Sequence, residues 1–487
     1  MLIIILLLSM QSLTACFKGS KQKDRIADYG EYGSDFAIEL ARSYPYRSPG
    51  SSQEREASLL ITAELESLGY QVQVQEFSYT DSAGVTKQSQ NIICRLDGIG
   101  FIKLDEDGKE TSEIVREKWV VIGAHYDVPV TGPDYTVSEA PPAENGVVES
   151  PYSSSGQTAN VEITEAVEET AEDEDGLEEN VVDDLDNSPW QMEKKMPIPV
   201  SYRTYDGINN NASGVGCVIS IAKEMLSDLP GYDTTFVFFG AGADNYAGAR
   251  AYLENLSPLE HSKLEAMYNI EAIFAGDKVY AHAGTNSVKI GNQKDYHLRR
   301  KLYEATDVFY KYRLNTNNAY SLYTNQSGLK VDAGKGGTSI FSEWTAKASD
   351  HTPFDLAGIP VVYFESAEYN INDITELGIE SRNPNFSSTG GKISSTPFDS
   401  SAYLTALFKS MAESNARSDF FLTPSPSPTN TDPPLAEHTD NEGNNVTSTT
   451  AIPMKELPRL EKRINSTAFI IIKSLQRGPA GFTFGRR

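Results

Sequence analysis

The sequence predicts an α/β fold, a mainly parallel mixed sheet covered by helices on both faces. Three observations predict it. The runs "KWVVIGAHYD", "TTFVFFGA" and "IPVVYFES" are almost continuously apolar over strand length, as strands buried on both faces are. Between them lie stretches with apolar residues at helical spacing. Strand, helix, strand order then repeats along the chain, which builds parallel sheets through covered crossovers.

The chain has 487 residues, 39 % of them hydrophobic, enough for one large or two ordinary domains with a real core. Residues 1–16 open with the apolar run "LIIILLLS", too short to span a membrane and of the kind found in a secretory signal. Leu13, Thr14, Ala15 and Cys16 resemble a bacterial lipobox. That pattern implies cleavage before Cys16, lipidation of its thiol, and an extracytoplasmic protein anchored to the bacterial cell membrane, or a secreted one if Cys16 is not lipidated. No Lys or Arg precedes the apolar run, a departure from the usual signal. Residues 17–28 read as a polar tether.

A domain over 29–420 follows. "SSQEREASLLITAELESLGY" is a helix with serine caps, apolar Ala57, Leu60, Ile61, Ala63, Leu65 and Leu68, and a stop at Gly69. "QVQVQEFSY" alternates strictly and reads as a strand with one wet face, and "NIICRL" as a further strand. Cys94 and Cys217 lie inside apolar runs and read as small buried hydrophobes, not as a disulfide or metal pair. In "NNNASGVGCVISIAKEM", Val215, Val218, Ile219, Ala222 and Met225 share one helical face.

The domain is interrupted at 138–199. From Ser138 to Glu193 there is no Lys or Arg, while acids cluster in "EAVEETAEDEDGLEEN". Such a composition buries too little apolar surface to order itself, so it reads as a disordered acidic insert, either a solvated excursion or a lid or partner-binding arm. The net charge of -26 argues against nucleic-acid binding, since a phosphate backbone needs a basic face. Residues 421–487 read as a Pro-, Ser- and Thr-rich linker and tail, ending in a segment too poor in apolar residues to cross a membrane.

Ligand sites in such sheets lie beyond the carboxyl ends of strands. Four of those ends carry polar residues: His125 with Asp127 in "GAHYD", Asn210 in "GINNNASG", Glu271 in "NIEAI", and His351 in "SDHTPF". Two histidines at separate strand ends with carboxylates nearby suit zinc. His261, His282, His297 and His438 read as structural residues.

Taken in order, "VVIGAHYDVP", "GINNNASGVG", "TFVFFGAGADNYAGARAY", "NIEAI" and "SDHTPFDLAGIPVVYFES" resemble the segments of the co-catalytic zinc aminopeptidases, over about residues 30–415. The family also contains plasma glutamate carboxypeptidase and the transferrin receptor ectodomain. The resemblance implies a zinc-exopeptidase-like domain with two zinc ions bridged by an aspartate. It places His125 and His351 at histidine ligands and Asp127 at the acid that orients His125. It also exposes departures. The bridging aspartate is Asn210, the aspartate of the later strand is Glu271, and the paired glutamates, general base then zinc ligand, fall on Gly242 and Ala243. Asp244 and Asp206 are the nearest acids that could stand in.

On that resemblance only Glu271 remains as a charged carboxylate ligand, so at most one zinc ion is expected, or none. The expected protein is a lipid-anchored aminopeptidase-like domain with hydrolysis lost or weak, its cleft binding a peptide or protein partner. The alternative is an active exopeptidase with a one-metal site. A third class is a surface interaction protein whose acidic insert is the active part.

Overall fold

The computed structural model describes residues 28–129, 204–289, 293–312, 314, 329–332, 338–341, 343–369, 371, 374–422 and 459–485. The signal and lipobox with Cys16, the acidic insert and residues 423–458 lie outside the described residues. So does the whole of the separate unit at 137–199.

Two helices, α1 (Gly30–Ser43) and α2 (Ser52–Ser67), lead into the hairpin β1 (Val72–Thr80) and β2 (Thr86–Leu96). Ser51 caps α2, its hydroxyl accepting from Glu54 N at 3.0 Å. Strands β3 (Phe101–Leu104) and β4 (Glu110–Val115) pair outside the main sheet, and β5 (Trp119–His125) returns to it. Then come α3 (Ser213–Met225), β6 (Asp233–Phe239), α4 (Ala247–Glu254), β7 (Leu264–Ile270), β8 (Lys278–His282), α5 (Arg300–Lys311), α6 (His351–Leu356), β9 (Val361–Ala367) and α7 (Ser401–Leu422).

The main sheet runs β1-β2-β6-β5-β7-β9-β8. The four central strands β6, β5, β7 and β9 are mutually parallel, and the outer pairings are antiparallel. The central strands are therefore the apolar ones, covered on both sides. Val121, Val237, Phe239 and Met267 pack with Tyr252 of α4 and Phe354 of α6. Their buried neighbours Val120, Ile122, Phe236 and Phe238 point to the opposite face by the two-residue period, where α3 lies against β5. Helix α1 packs on α3 where two glycines meet. A Cβ on Gly33 would lie 2.3 Å from Gly216 O, and one on Gly216 would lie 2.2 Å from Gly33 O.

The C-terminal reading needs correction. Residues 459–485, expected as part of a tail, form α8 (Arg459–Ser474) and the short strand β10 (Phe482–Thr483). Leu460, Ile464, Ala468, Ile471 and Leu475 recur at helical spacing and are buried against α1, α3 and α5. Each such Leu or Ile contributes about 1.5–3 kcal/mol of burial. Strand β10 joins β3 and β4. Among the described residues, no helix is long and apolar enough to cross a membrane.

Candidate metal centre

The parallel strands deliver their carboxyl ends, and the loops that follow, to one edge of the sheet. His125 is the last residue of β5 and is buried. Its Nε2 lies 3.1 Å from Glu271 Oε1, just past β7. Its Nδ1 lies 3.1 Å from the Asp127 carbonyl and 3.3 Å from Asp127 Oδ1. Burial opposes charge on this imidazole, but Glu271 and Asp127 outweigh it and hold its pKa well above the ordinary value. Glu271 is fixed from the other side: Ser349 Oγ donates to its Oε2 at 2.6 Å and Asn269 Nδ2 donates to Ser349 Oγ at 2.9 Å.

Asp127 does two jobs. Besides facing His125, its carboxylate accepts from Gly242 N at 2.7 Å and Ala243 N at 2.9 Å. The loop after β6 is thereby drawn onto His125. A Cβ at Gly242 would lie 2.4 Å from His125 Cβ and 2.6 Å from its Cγ. There is no room for a side chain where the resemblance places a general base. Ala243 is exposed and brings no donor side chain.

The third member of the site is Asp350, which is not among the residues the sequence motifs point to. Asp350 is fully buried, and its carboxylate, His125 and Glu271 each offer a ligand atom within 4.8 Å of the others. Neither oxygen of Asp350 has a hydrogen-bond partner from another described residue. Burial pushes its pKa up to about 8, with His125 pulling against that and Glu271 and Asp127 adding to it. The signal was available, an acid beside the histidine of "SDH".

His351, expected as the last histidine ligand, lies outside this group. It begins α6, so its side chain leaves the backbone in a different direction from that of Asp350. Its ring packs 4.4 Å from that of Tyr363, and its Nδ1 is 3.5 Å from Asn269 Nδ2. Burial lowers its pKa to about 4, so it is neutral. Asn210 sits in the turn before α3, where its N–H donates to Asp399 Oδ2 at 3.1 Å. Its Oδ1 is buried without a partner among the described residues.

Neither stand-in acid reaches the centre. Asp244 accepts from Tyr79 Oη at 2.7 Å and from Lys87 Nζ at 3.1 Å. Asp206 accepts from Ser401 N at 2.9 Å and Ile208 N at 3.2 Å, bracing the turn that carries Asn210. Cys94 and Cys217 are both free and buried.

Comparison with known proteins agrees with the resemblance. Residues 194–400 match the sequence model of Peptidase family M28. The chain is 22 % identical over 170 residues to the alkaline phosphatase isozyme conversion protein of Escherichia coli (strain K12), covering 35 % of this chain and 43 % of that one. It is 25 % identical over 144 residues to an aminopeptidase of Pseudomonas aeruginosa (strain UCBPP-PA14), covering 26 % and 27 %. The chain thus spans less than half the length of these curated relatives. Among solved structures, the zinc aminopeptidase BSAP of Bacillus subtilis superposes with a TM-score of 0.44 at 14 % identity, over 80 % of this chain and 93 % of that one. A Zn-dependent exopeptidase of Parabacteroides distasonis gives 0.39 at 15 % identity, over 72 % and 88 %.

Proposed function

We propose that this chain, a peptidase family M28 metallopeptidase-like protein over residues 194–400, has contracted a two-ion hydrolytic centre to a site for at most one divalent cation. Its hydrolytic activity is lost or weak, and its cleft serves to bind a peptide or a protein partner. The observation that carries this is Gly242. Where the resemblance places the general base there is no carboxylate, and a Cβ on Gly242 would lie 2.4 Å from that of His125.

The donor set suits one zinc ion. An imidazole nitrogen and two carboxylates are hard or borderline ligands of the kind zinc takes, three protein ligands are what an open zinc site has, and two carboxylates balance one dication. The unpartnered, buried oxygens of Asp350 are the strongest sign that something cationic belongs there, since an unpaired buried carboxylate is costly. A zinc ion there supplies a Lewis acid. The protein's own part is limited to holding Glu271 through Ser349 and holding His125 through Asp127. The described carboxylate beside the three ligands, Asp127, is engaged by His125 and by the N–H groups of Gly242 and Ala243, and losing a positioned base alone costs about 10² to 10⁴ in rate.

One observation favours a second reading. Asp350 restores a carboxylate to the site, and if it serves as base beside a cation on His125 and Glu271, the protein is a one-metal exopeptidase. Turnover of leucine and alanine p-nitroanilides with added zinc or cobalt separates the two. The first reading expects rates at the level of heat-treated protein. Chelator-sensitive turnover that Asp350→Asn abolishes would establish the second.

The lipobox supports placing the protein outside the cytoplasmic membrane, held by a lipid on Cys16.

A further inference from the structure

Residues 271–277 leave β7 as an irregular buried segment, and every peptide group in such a segment needs a partner. Three of its N–H groups are met by the turn before α3 and the first residue of that helix. Ala272 N donates to Asn211 Oδ1 at 2.9 Å, Ile273 N to Ser213 Oγ at 3.0 Å, and Ala275 N to Asn209 Oδ1 at 2.8 Å. Its carbonyls are met by two arginines of α8. Arg463 Nη1 donates to the carbonyls of Ile273 (3.3 Å), Phe274 (3.0 Å) and Gly276 (2.7 Å), and its Nη2 to that of Asp277 (2.9 Å). Arg459 adds Nε to Phe274 O at 3.2 Å, and Nη2 to Ala275 O at 3.4 Å and Gly276 O at 2.6 Å.

Five successive carbonyls, 273 to 277, therefore end on two guanidinium groups that lie outside the residues matched to the peptidase family. Glu271 opens this segment. Its N–H donates to Phe364 O at 2.8 Å, and Ala272 has a φ of 33°, so the backbone is unusual directly after the residue that supplies a carboxylate to the site.

We propose that Arg463, with Arg459, is a positioning residue for Glu271. Helix α8 fixes the backbone that directs the Glu271 carboxylate at His125 and Asp350, so cation affinity depends on a C-terminal helix that supplies none of the three. This rests on the cation site proposed above. The guanidinium group suits the task because its planar fork offers five donors in fixed directions, whereas an ammonium offers three around a point. Arg463→Lys keeps the charge and the packing stem and loses the fork.

The test compares full-length wild type, Arg463→Lys and Arg459→Lys by two readouts: zinc affinity in competition with a chromophoric chelator, and amide hydrogen exchange. Lys473→Arg, on the same helix but paired with Asp228, is the control. Arg463→Lys is expected to fold and to bind zinc about 10- to 100-fold more weakly, the usual effect of losing an outer supporting contact. Amides 272–276 should exchange faster while those of Val121 and Val237 do not. Arg463→Ala, where it folds, should regain affinity in millimolar guanidinium ion. Zinc affinity within twofold of wild type in Arg463→Lys, with only the melting temperature lowered, would overturn the positioning role. Wild type that takes up no zinc would instead sink the cation site and the link to affinity. Unchanged protection at 272–276 overturns the α8 clamp in either case.

Discussion

Placing acids in the loop after β6 is the sharpest perturbation of this centre. In Gly242→Glu the new Cβ starts 2.4 Å from His125 Cβ and 2.6 Å from Cγ, while carbon atoms rest at about 3.5–4.0 Å. One of the two residues must therefore move by about 1 Å or more. Gly242 cannot easily yield, because its N–H and that of Ala243 are both bound to Asp127. His125 cannot yield without breaking its contacts to Asp127 and Glu271. Overpacking of this kind costs about 1–3 kcal/mol. The expected result, read from urea denaturation midpoints, is that Gly242→Ala and Gly242→Glu lose stability in that range. Ala243→Glu, at an exposed position, should change it by less than about 0.5 kcal/mol. The double variant Gly242→Glu/Ala243→Glu should still fail to hydrolyse leucine p-nitroanilide in the presence of zinc. Gly242→Glu as stable as wild type, or a double variant with chelator-sensitive turnover, would refute the claim that the site has closed over the base position.

Other outcomes follow from the same geometry. Asp350→Asn should weaken zinc binding at least tenfold, whereas His351→Gln, outside the group, should change it by less than about threefold, both read by chelator competition. His282 is fully buried, and among the described residues neither of its ring nitrogens has a hydrogen-bond partner; burial lowers its pKa to about 4. A lowered folded-state pKa means that the unfolded chain binds the proton first, so stability is complete above pH 6.5 and falls as pH drops towards 4. The shift from 6.5 amounts to about 3 kcal/mol, and His282→Phe should flatten that acid limb in denaturation measured against pH. For the signal segment, Cys16→Ser should abolish labelling with a radioactive fatty acid and release the protein from the membrane fraction; equal membrane association of both forms contradicts the anchor.

Much of the fold was legible because apolar run length is a direct record of burial. The strands ending at His125 and Phe239 and that beginning at Val361 lie where their uninterrupted apolar stretches place them, and Ser51 caps the helix its position announces. The C-terminal helix is hard to see in the sequence for a physical reason. Its apolar face is interrupted by Arg463, which in isolation looks like a surface residue, yet it is buried with its charge spread over the carbonyls of a distant loop. At the centre, the resemblance pointed to the strand ends at which His125 and Glu271 meet. It could not show that "SDH" turns Asp350, not His351, into the group with His125 and Glu271, because that depends on where α6 begins. Nor could spacing alone show that Asp244 is held by Tyr79 and Lys87.

The central claim is tested most directly by counting ions. Protein stripped with chelator and titrated with zinc should take up no more than one equivalent per chain and stay inert towards aminoacyl anilides. Two tightly held equivalents, with peptidase turnover that appears on their addition, would contradict it.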